Sequence, residues 1–404
     1  MSNTTHYTSA CRRGDAHGKA SGDMKKIKLR FIINTLSGGG AEKVLVDLLS
    51  QLDRTKYDIQ LLTVSGGVHE KAVPKTVRYR KILRGKARIL SKIVYKLPPR
   101  VFRCLFMREP ADIEIAYLEG FPTKIVSAMK TNAGKIAFVH FDMSAMNFLQ
   151  DAYATKEKCR RCYEAFDKVC FVSEKAKSGF FSVVGELSNA VILHNVLNTK
   201  EIIESSKTPI PYDYGTDGMK LISLGRLTAQ KAYDRLVNIA ASLREAFHFE
   251  LWILGDGEER ERLEKAVADK GLENVKFLGF QNNPYAFLKK ADLFICSSVF
   301  EGYSTAVTEA MILGLPVLTT DCAGMNEILD GGKYGMIVPN SEQALEDGMR
   351  KILSDATLYD RMRSAARVRG EMFADSKKSV GAYDELFLEV INDASGNQRD
   401  RAGL

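Results

Sequence analysis

Short apolar runs alternate with stretches of helical period along most of this chain. Residues 28–34 read as a buried strand; Gly38, Gly39 and Gly40 follow, and then 41–49, apolar at helical spacing. Further strands are predicted at 58–64, 112–116, 135–139, 168–172 and 190–193, with helical stretches between most of them. Apolar runs separated by helices belong to a parallel sheet covered on both faces. Residues 205–218 break the pattern with two Pro, two Gly and little apolar periodicity, as a linker does. The same grammar then restarts. Strands are predicted at 220–224, 249–254, 275–278, 291–297, 316–320 and 334–338, and helices at 233–246, 258–270, 284–289, 305–313 and through 341–394. The predicted class is α/β: two doubly wound domains in tandem, facing a cleft.

The expected organisation is a tail over 1–23, a first Rossmann-like domain over 24–200, a linker over 201–218, a second such domain over 219–375, and a final helix over 376–404 packing back on the first domain. Residues 1–23 are polar and lack an apolar core, so they read as a disordered tail or an over-long start and not as a secretory leader. Met24, followed by Lys25, Lys26 and Ile27, is the more natural start. No stretch approaches the roughly 18–20 unbroken apolar residues of a membrane-spanning helix. In doubly wound sheets ligands bind at the carboxyl ends of the strands, so the loops there hold the candidate chemistry.

Composition adds two constraints. Seven cysteines at irregular spacing argue against a disulfide framework and for a reducing compartment. Cys159 and Cys162 form one CxxC, but it lies inside a charged helical run with no second pair at zinc-like spacing, and reads as two helix residues one turn apart. The net charge of +8 is unevenly placed: residues 1–197 carry +15 and residues 198–404 carry −7. Between Lys75 and Arg108 there are twelve Lys or Arg and no acid. Ile89, Leu90, Ile93, Val94, Leu97, Val101, Phe102, Leu105 and Phe106 interleave with these cations, and Pro98 and Pro99 split the stretch in two. A basic amphipathic surface on anionic lipid headgroups fits this pattern; a solvated face is the alternative. No nucleic-acid-binding motif accompanies it, so nucleic acid is not an expected partner.

Four segments could carry chemistry. EGYSTAVTE, residues 301–309, lies between a strand and a helix closed by Gly314 and Pro316. Glu301 falls in the loop and Glu309 one turn into the helix. Gly302, Tyr303, Ser304 and Thr305 present backbone N–H groups at a helix start, where an anion such as phosphate is favoured. The two carboxylates suit the hydroxyl pairs of a sugar and a ribose. The competing reading makes Ser304 a plain cap and leaves both Glu in solvent. The loop 225–231, GRLTAQK, offers Arg226 as a planar fork and Lys231 as a point charge for phosphate oxygens, or else two surface cations. The loop at Gly38, Gly39 and Gly40 lacks the GK[ST] of a phosphate-binding P-loop. It also lacks the acid that a dinucleotide fingerprint needs after the second strand, where Ser65, Gly66 and Gly67 stand. It remains a loop that lets a ligand approach the backbone. His140, just past the strand at 135–139, is either a substrate hydrogen-bonding group or a structural histidine.

Together these residues resemble the retaining, GT-B-fold glycosyltransferases of family 4. The resemblance rests on the E-x7-E motif from Glu301 to Glu309 with Ala310, Met311, Gly314, Leu315 and Pro316; on the G-R-L-x-x-x-K loop from Gly225 to Lys231; and on Gly255-Asp256-Gly257. It extends to Phe277, Leu278, Gly279 and Phe280, and to Gly324, Glu327, Ile328, Leu329 and Gly335. It is dense over 220–340 and looser over 28–200, where the glycine loop, His140, Val172-Ser173 and His194-Asn195-Val196 match in order. The E-G-x-S-T-x-V-x-E-A variant most resembles members that build lipopolysaccharide, capsule or exopolysaccharide. The resemblance implies an acceptor-binding first domain and a nucleotide-sugar-binding second domain. Arg226 and Lys231 would bind the donor diphosphate, Glu309 the ribose, Glu301 and His140 the donor sugar, and the 302–305 amides a phosphate. Gly279 and Phe280 would flank the base, and Gly39 and Gly40 the diphosphate or acceptor. Catalysis would fall to Glu301, His140, Arg226 and Lys231, with no metal and no cofactor; the sequence contains no Asp-x-Asp triplet. Retention would proceed by front-face attack or by double displacement, and no residue stands out as a nucleophile. Two positions depart from the family pattern: Ala232, where Gly usually follows the loop Lys, and Phe138, where Trp is frequent.

The expected protein is therefore a metal-independent retaining glycosyltransferase. It would be cytoplasmic and peripheral at the inner face of the plasma membrane. Its partners would be a nucleotide sugar, with UDP as the expected nucleotide, a glycan or lipid-linked acceptor, and an anionic membrane surface. A nucleotide-sugar epimerase or phosphorylase on the same fold is the alternative, and a non-catalytic sugar-nucleotide-binding subunit a further one; a nicotinamide-dependent oxidoreductase fails at the glycine loop.

Overall fold

A computed structural model describes residues 25–83, 88–145, 152–212, 218–374 and 376–402; the expected tail over 1–23 lies outside these. Two parallel sheets organise the chain. The first contains β1 (Ile27–Ile33), β2 (Tyr57–Thr63), β3 (Arg78–Lys81), β4 (Ile113–Ala116), β5 (Gly134–Val139), β6 (Lys168–Phe171) and β7 (Ala190–Ile192), in the order β3-β2-β1-β4-β5-β6-β7. The second contains β8 (Met219–Leu224), β9 (Phe249–Leu254), β10 (Val275–Gly279), β11 (Leu293–Cys296), β12 (Val317–Thr320) and β13 (Met336–Val338), in the order β10-β9-β8-β11-β12-β13. Helices cover both faces, so the inner strands are apolar at nearly every position; β4 and β11 are buried throughout. β3 is the strand that pattern reading misses. Its RYRK sequence alternates exposed and half-buried positions on a charged sheet edge, with no apolar run to detect.

The strand order reverses at β1–β4 in the first sheet and at β8–β11 in the second. These reversals open a crevice at the carboxyl ends of the strands. The loops after β1, β5, β8 and β11 meet there. The segment expected as linker from 201 begins inside a helix, Thr199–Ser205, whose start is capped by the Asn198 side chain accepting from Glu201 N. The final helix, Ser376–Ala402, returns to the first domain. Tyr383, Leu386, Phe387 and Val390 enter the same core as Phe31 and Tyr57. The Phe387 and Tyr57 rings meet edge to face at 5.7 Å, and Asp384 accepts from the Tyr57 hydroxyl at 2.9 Å and Lys56 Nζ at 2.8 Å.

The basic stretch forms helices Arg88–Val94 and Pro99–Phe106, with Pro98 and Pro99 opening the second. Its apolar positions divide. Val94 and Phe102 are buried in the first domain, whereas Leu90, Ile93, Val101 and Leu105 stand exposed beside Lys92, Lys96 and Arg100. The CxxC lies in the helix Lys156–Glu164, with Cys159 buried and its thiol pushed up to about 12 by burial. Cys162 Sγ donates to Ser127 Oγ at 3.2 Å.

Candidate active site

The second domain's share of the crevice is two loops stitched together. The 225–231 loop is pressed against the turn at Gly255 and Gly257. A Cβ at Gly255 would lie 1.9 Å from the Gly225 carbonyl oxygen, and one at Gly257 2.3 Å from that of Leu227. Only glycines allow two backbones to approach so closely. Gln230 Nε2 donates to Phe300 O at 2.8 Å, and Ser297 Oγ donates to Lys231 O at 2.7 Å. These bonds bring Lys231 Nζ to 2.5 Å from Glu301 Oε1, which also accepts from Ser298 Oγ at 2.6 Å. Burial alone would lower the affinity of Lys231 for its proton, but Glu301, Cys296 and Tyr233 more than offset it, so the ammonium stays charged.

The helix Thr305–Ile312 starts at Ser304, whose side chain accepts from Val307 N. The cap is therefore real, as the competing reading of this segment required, but both carboxylates are buried, which that reading did not allow: Glu301 is 7% exposed and Glu309 3%. Glu309 Oε1 accepts from the Tyr285 hydroxyl at 3.2 Å and lies 3.3 Å from Lys43 Nζ of the first domain. Burial raises the pKa of the Glu309 carboxyl above the usual range, and Lys43 opposes the rise.

The first domain closes over these loops. A Cβ at Gly40 would lie 3.2 Å from Thr305 Oγ1, and one at Gly39 would lie 3.3 Å from an Arg226 guanidinium nitrogen. The glycine loop thus faces both phosphate-binding candidates across the crevice. Ser173 Oγ donates to Gly302 O at 3.0 Å, and Glu174 N donates to Glu327 Oε1 at 2.7 Å. Gly302 packs directly on the His140 backbone: a Cβ there would fall 1.7 Å from the His140 carbonyl oxygen. The His140 ring lies against Tyr117 and Phe138, at 4.9 and 6.0 Å between ring centres. Its Nε2 is buried without a protein partner. Burial holds the imidazole down to about 4, against a hydrogen bond to the Tyr117 backbone that works the other way. It is therefore neutral at physiological pH, with one ring nitrogen unpaired within the protein.

The structure thus brings Gly39, Gly40, His140, Arg226, Lys231, Glu301, Gly302, Tyr303, Ser304, Thr305 and Glu309 into one crevice. Tyr303 stacks on His194 at 5.3 Å between ring centres, and is buried. Arg226 remains exposed. Gly279 and the exposed ring of Phe280 stand further along, at the end of β10; Gly279 is held by Gly255 N donating to its carbonyl at 2.8 Å. Three residues escaped the sequence reading. Glu119, just past β4, accepts from the His140 backbone N–H and fixes the loop that carries the imidazole. Burial lifts its carboxyl to about 7, with hydrogen bonds from backbone N–H groups opposing. Lys43 and Tyr285 grip Glu309. Glu119 was visible as an acid beside a glycine at a strand end; Tyr285 carried no motif signal.

Residues 212–369 match the family model described as glycosyl transferases group 1. The chain is a glycosyltransferase. The matched segment covers the second domain with both of its crevice loops. Over 370 residues the glycosyltransferase is 23% identical to a Campylobacter jejuni enzyme named N-acetylgalactosamine-N,N'-diacetylbacillosaminyl-diphospho-undecaprenol 4-alpha-N-acetylgalactosaminyltransferase, spanning 89% of this chain and 99% of that one. It is 28% identical over 201 residues to LpsE of Rhizobium meliloti, named a lipopolysaccharide core biosynthesis glycosyltransferase; this match spans 50% of the present chain and 57% of LpsE. The fold is that of HepE from Anabaena, solved in complex with UDP: TM-score 0.71 at 19% identity, covering 90% of this chain and 100% of that one. Two facing parallel-sheet domains with these neighbours are the GT-B architecture.

Proposed function

We propose that this glycosyltransferase moves a sugar from a UDP-sugar to a lipid-linked or polysaccharide acceptor in cell-surface glycan biosynthesis, with retention of anomeric configuration and without a metal. One observation carries the reading: the crevice sets Arg226, Lys231 and the Ser304-capped helix start opposite the Gly39–Gly40 backbone, with two buried carboxylates on the same wall. A nucleoside diphosphate leaves readily only when its growing charge is met. Arg226, Lys231 and the helix amides supply that charge. Glu301 pairs with Lys231 across the two loops. An arriving diphosphate competes for the ammonium and frees Glu301 to accept sugar hydroxyls. Neutral His140 hydrogen-bonds the sugar from the other domain. The diphospho-undecaprenol in the name of the Campylobacter relative supports a lipid-linked acceptor, and the HepE complex supports UDP. The exposed apolar row on the basic helices supports docking at an anionic membrane surface; among the described residues no helix is long and apolar enough to cross one.

Thermal unfolding against UDP, GDP, ADP and NAD, with EDTA present, tests the site. A ligand at a hundred times its Kd adds about 2.7 kcal/mol, a shift of several degrees. UDP is expected to stabilise the protein and to lose that effect in Glu309→Ala. A flat panel, or a response to NAD alone, overturns the reading. Lys231→Ala is expected to lower turnover by roughly a hundredfold or more, the scale of removing one preorganised charge from a leaving group; unchanged turnover removes its phosphate role. The anomeric configuration of the product, read by NMR, decides retention. Gln in place of Lys92, Lys96, Arg100 and Arg103 should release the protein from phosphatidylglycerol vesicles, and unchanged sedimentation would sink the membrane part.

A further inference from the structure

Glu309 is held by a cation from the other domain. Lys43 lies in the first turn of the helix Gly40–Gln51, directly after the glycine loop. Its Nζ is 3.3 Å from Glu309 Oε1 and 2.6 Å from Asp47 Oδ2. Asp47 Oδ2 also accepts the backbone N–H of Asn198 at 3.2 Å, at the point where the chain leaves the first domain. On the far side, the Tyr285 hydroxyl donates to Glu309 Oε1 at 3.2 Å, and Lys43 Nζ sits 5.7 Å from the centre of the Tyr285 ring. A continuous chain of contacts, Asn198–Asp47–Lys43–Glu309–Tyr285, therefore crosses the crevice.

Two details give this chain a direction. Asp47 and Glu309 are both buried, and Lys43 is a cation that touches both; a buried carboxylate left without a cation is costly. Lys43 and Tyr285 both engage Oε1 of Glu309. A carboxylate fixed by one oxygen presents the other to a hydroxyl donor. A protonated carboxyl would carry a donor of its own and accept less well. Within its own domain, among the described residues, the hydrogen-bond partner of the Glu309 side chain is the neutral Tyr285 phenol.

We propose that Lys43 is a positioning residue for nucleotide recognition: supplied by the first domain, it keeps Glu309 charged and oriented toward the ribose hydroxyls, so that the ribose subsite is complete only when the two domains are closed. The inference rests on reading Glu309 as the ribose-binding residue. Closure and nucleotide binding are then one event. Opening the crevice withdraws the cation that makes Glu309 a good acceptor, and a bound ribose favours the closed form.

The test measures Kd for UDP and for 2′-deoxy-UDP, by calorimetry, on the full-length wild type, Glu309→Gln, Lys43→Met and Lys43→Arg. Unfolding without ligand checks that each variant is folded. The expected result is a loss of roughly tenfold or more for UDP in both Glu309→Gln and Lys43→Met, the scale of one charge-assisted hydrogen bond. With 2′-deoxy-UDP both losses should shrink to a few-fold, and Lys43→Arg should recover much of the UDP affinity. If Glu309→Gln separates the two nucleotides but Lys43→Met weakens both equally, or neither, the role of Lys43 is overturned while the ribose reading stands. If Glu309→Gln does not separate them, the ribose reading fails and takes the Lys43 inference with it.

Discussion

Ala232 sits at φ 48° and ψ 47°, a left-handed conformation that costs a residue with a Cβ about 1–2 kcal/mol. It is buried, and lies between Lys231 and the helix Tyr233–Leu243. The strain follows from placing Lys231 beneath Glu301 and starting a helix two residues later. Ala232→Gly should relieve it and raise stability by about 0.5–1 kcal/mol, net of the extra freedom glycine has in the unfolded chain. A lower denaturant midpoint in Ala232→Gly would refute the strain argument. Glu119 makes a separate prediction. Its folded pKa of about 7 stands above the ordinary 4.5, so between these values the folded state holds a proton that the unfolded state has released. Stability from this group is therefore fully present below about 4.5 and is lost as pH rises through about 7, by at most roughly 3 kcal/mol. His140 slopes the other way, gaining stability as pH rises from about 4 to 6.5. The two slopes oppose each other between about 4.5 and 6.5, so Glu119→Gln should unmask the rise from His140 across that range and remove the decline above about 6.5; an unchanged profile would mean that Glu119 does not titrate there. Neither effect is legible in sequence. The motif shows which residue types are present, but the left-handed backbone at Ala232 and the burial of Glu119 are set by their surroundings.

Gly302 couples two elements that belong to different domains. Its backbone seals the contact between the loop after β11 and the loop after β5, with no room for a Cβ against His140 O. Gly302→Ala must push the loops apart. Turnover should fall by roughly a hundredfold from misalignment of the two halves, with a smaller change in the unfolding midpoint, because each domain also has a buried cluster confined to itself, around Phe171 and Phe180 in the first and around Leu236 and Ile253 in the second. A variant with wild-type turnover would show that closure does not use this contact. At this scale the sequence was informative where physics is local. Buried parallel strands are continuous apolar runs, so β1, β4, β5, β8, β9 and β12 could be read within a residue or two. Edge strand β3 could not, since charged alternation on a sheet edge looks like a solvated stretch. The helix Thr199–Ser205 was partly read as linker, because a seven-residue helix has too few turns to show a period.

The two sheets are held in one molecule by two crossings, not one. The chain leaves the first domain through Asn198 and returns in the helix Ser376–Ala402, which fills a groove on the first sheet with Tyr383, Phe387 and Val390. Phe387→Ala should cost about 3–5 kcal/mol, as truncation of a buried aromatic does; a loss below 1 kcal/mol would show that the helix is a passenger. The groove, like the pairing of Lys43 with Glu309, joins residues far apart in the chain, and period or motif cannot show such a pairing. Gly134 marks how closely the helix fits: a Cβ there would lie 2.3 Å from Val390 Cγ1. This bears on how specificities can be recombined. A chimera that exchanges first domains between two such enzymes at the 201–218 junction, and keeps the recipient's tail, would seat a foreign helix against a groove shaped for another. Exchanged halves must therefore be cut twice, with residues 376–402 travelling alongside the sheet that they cover.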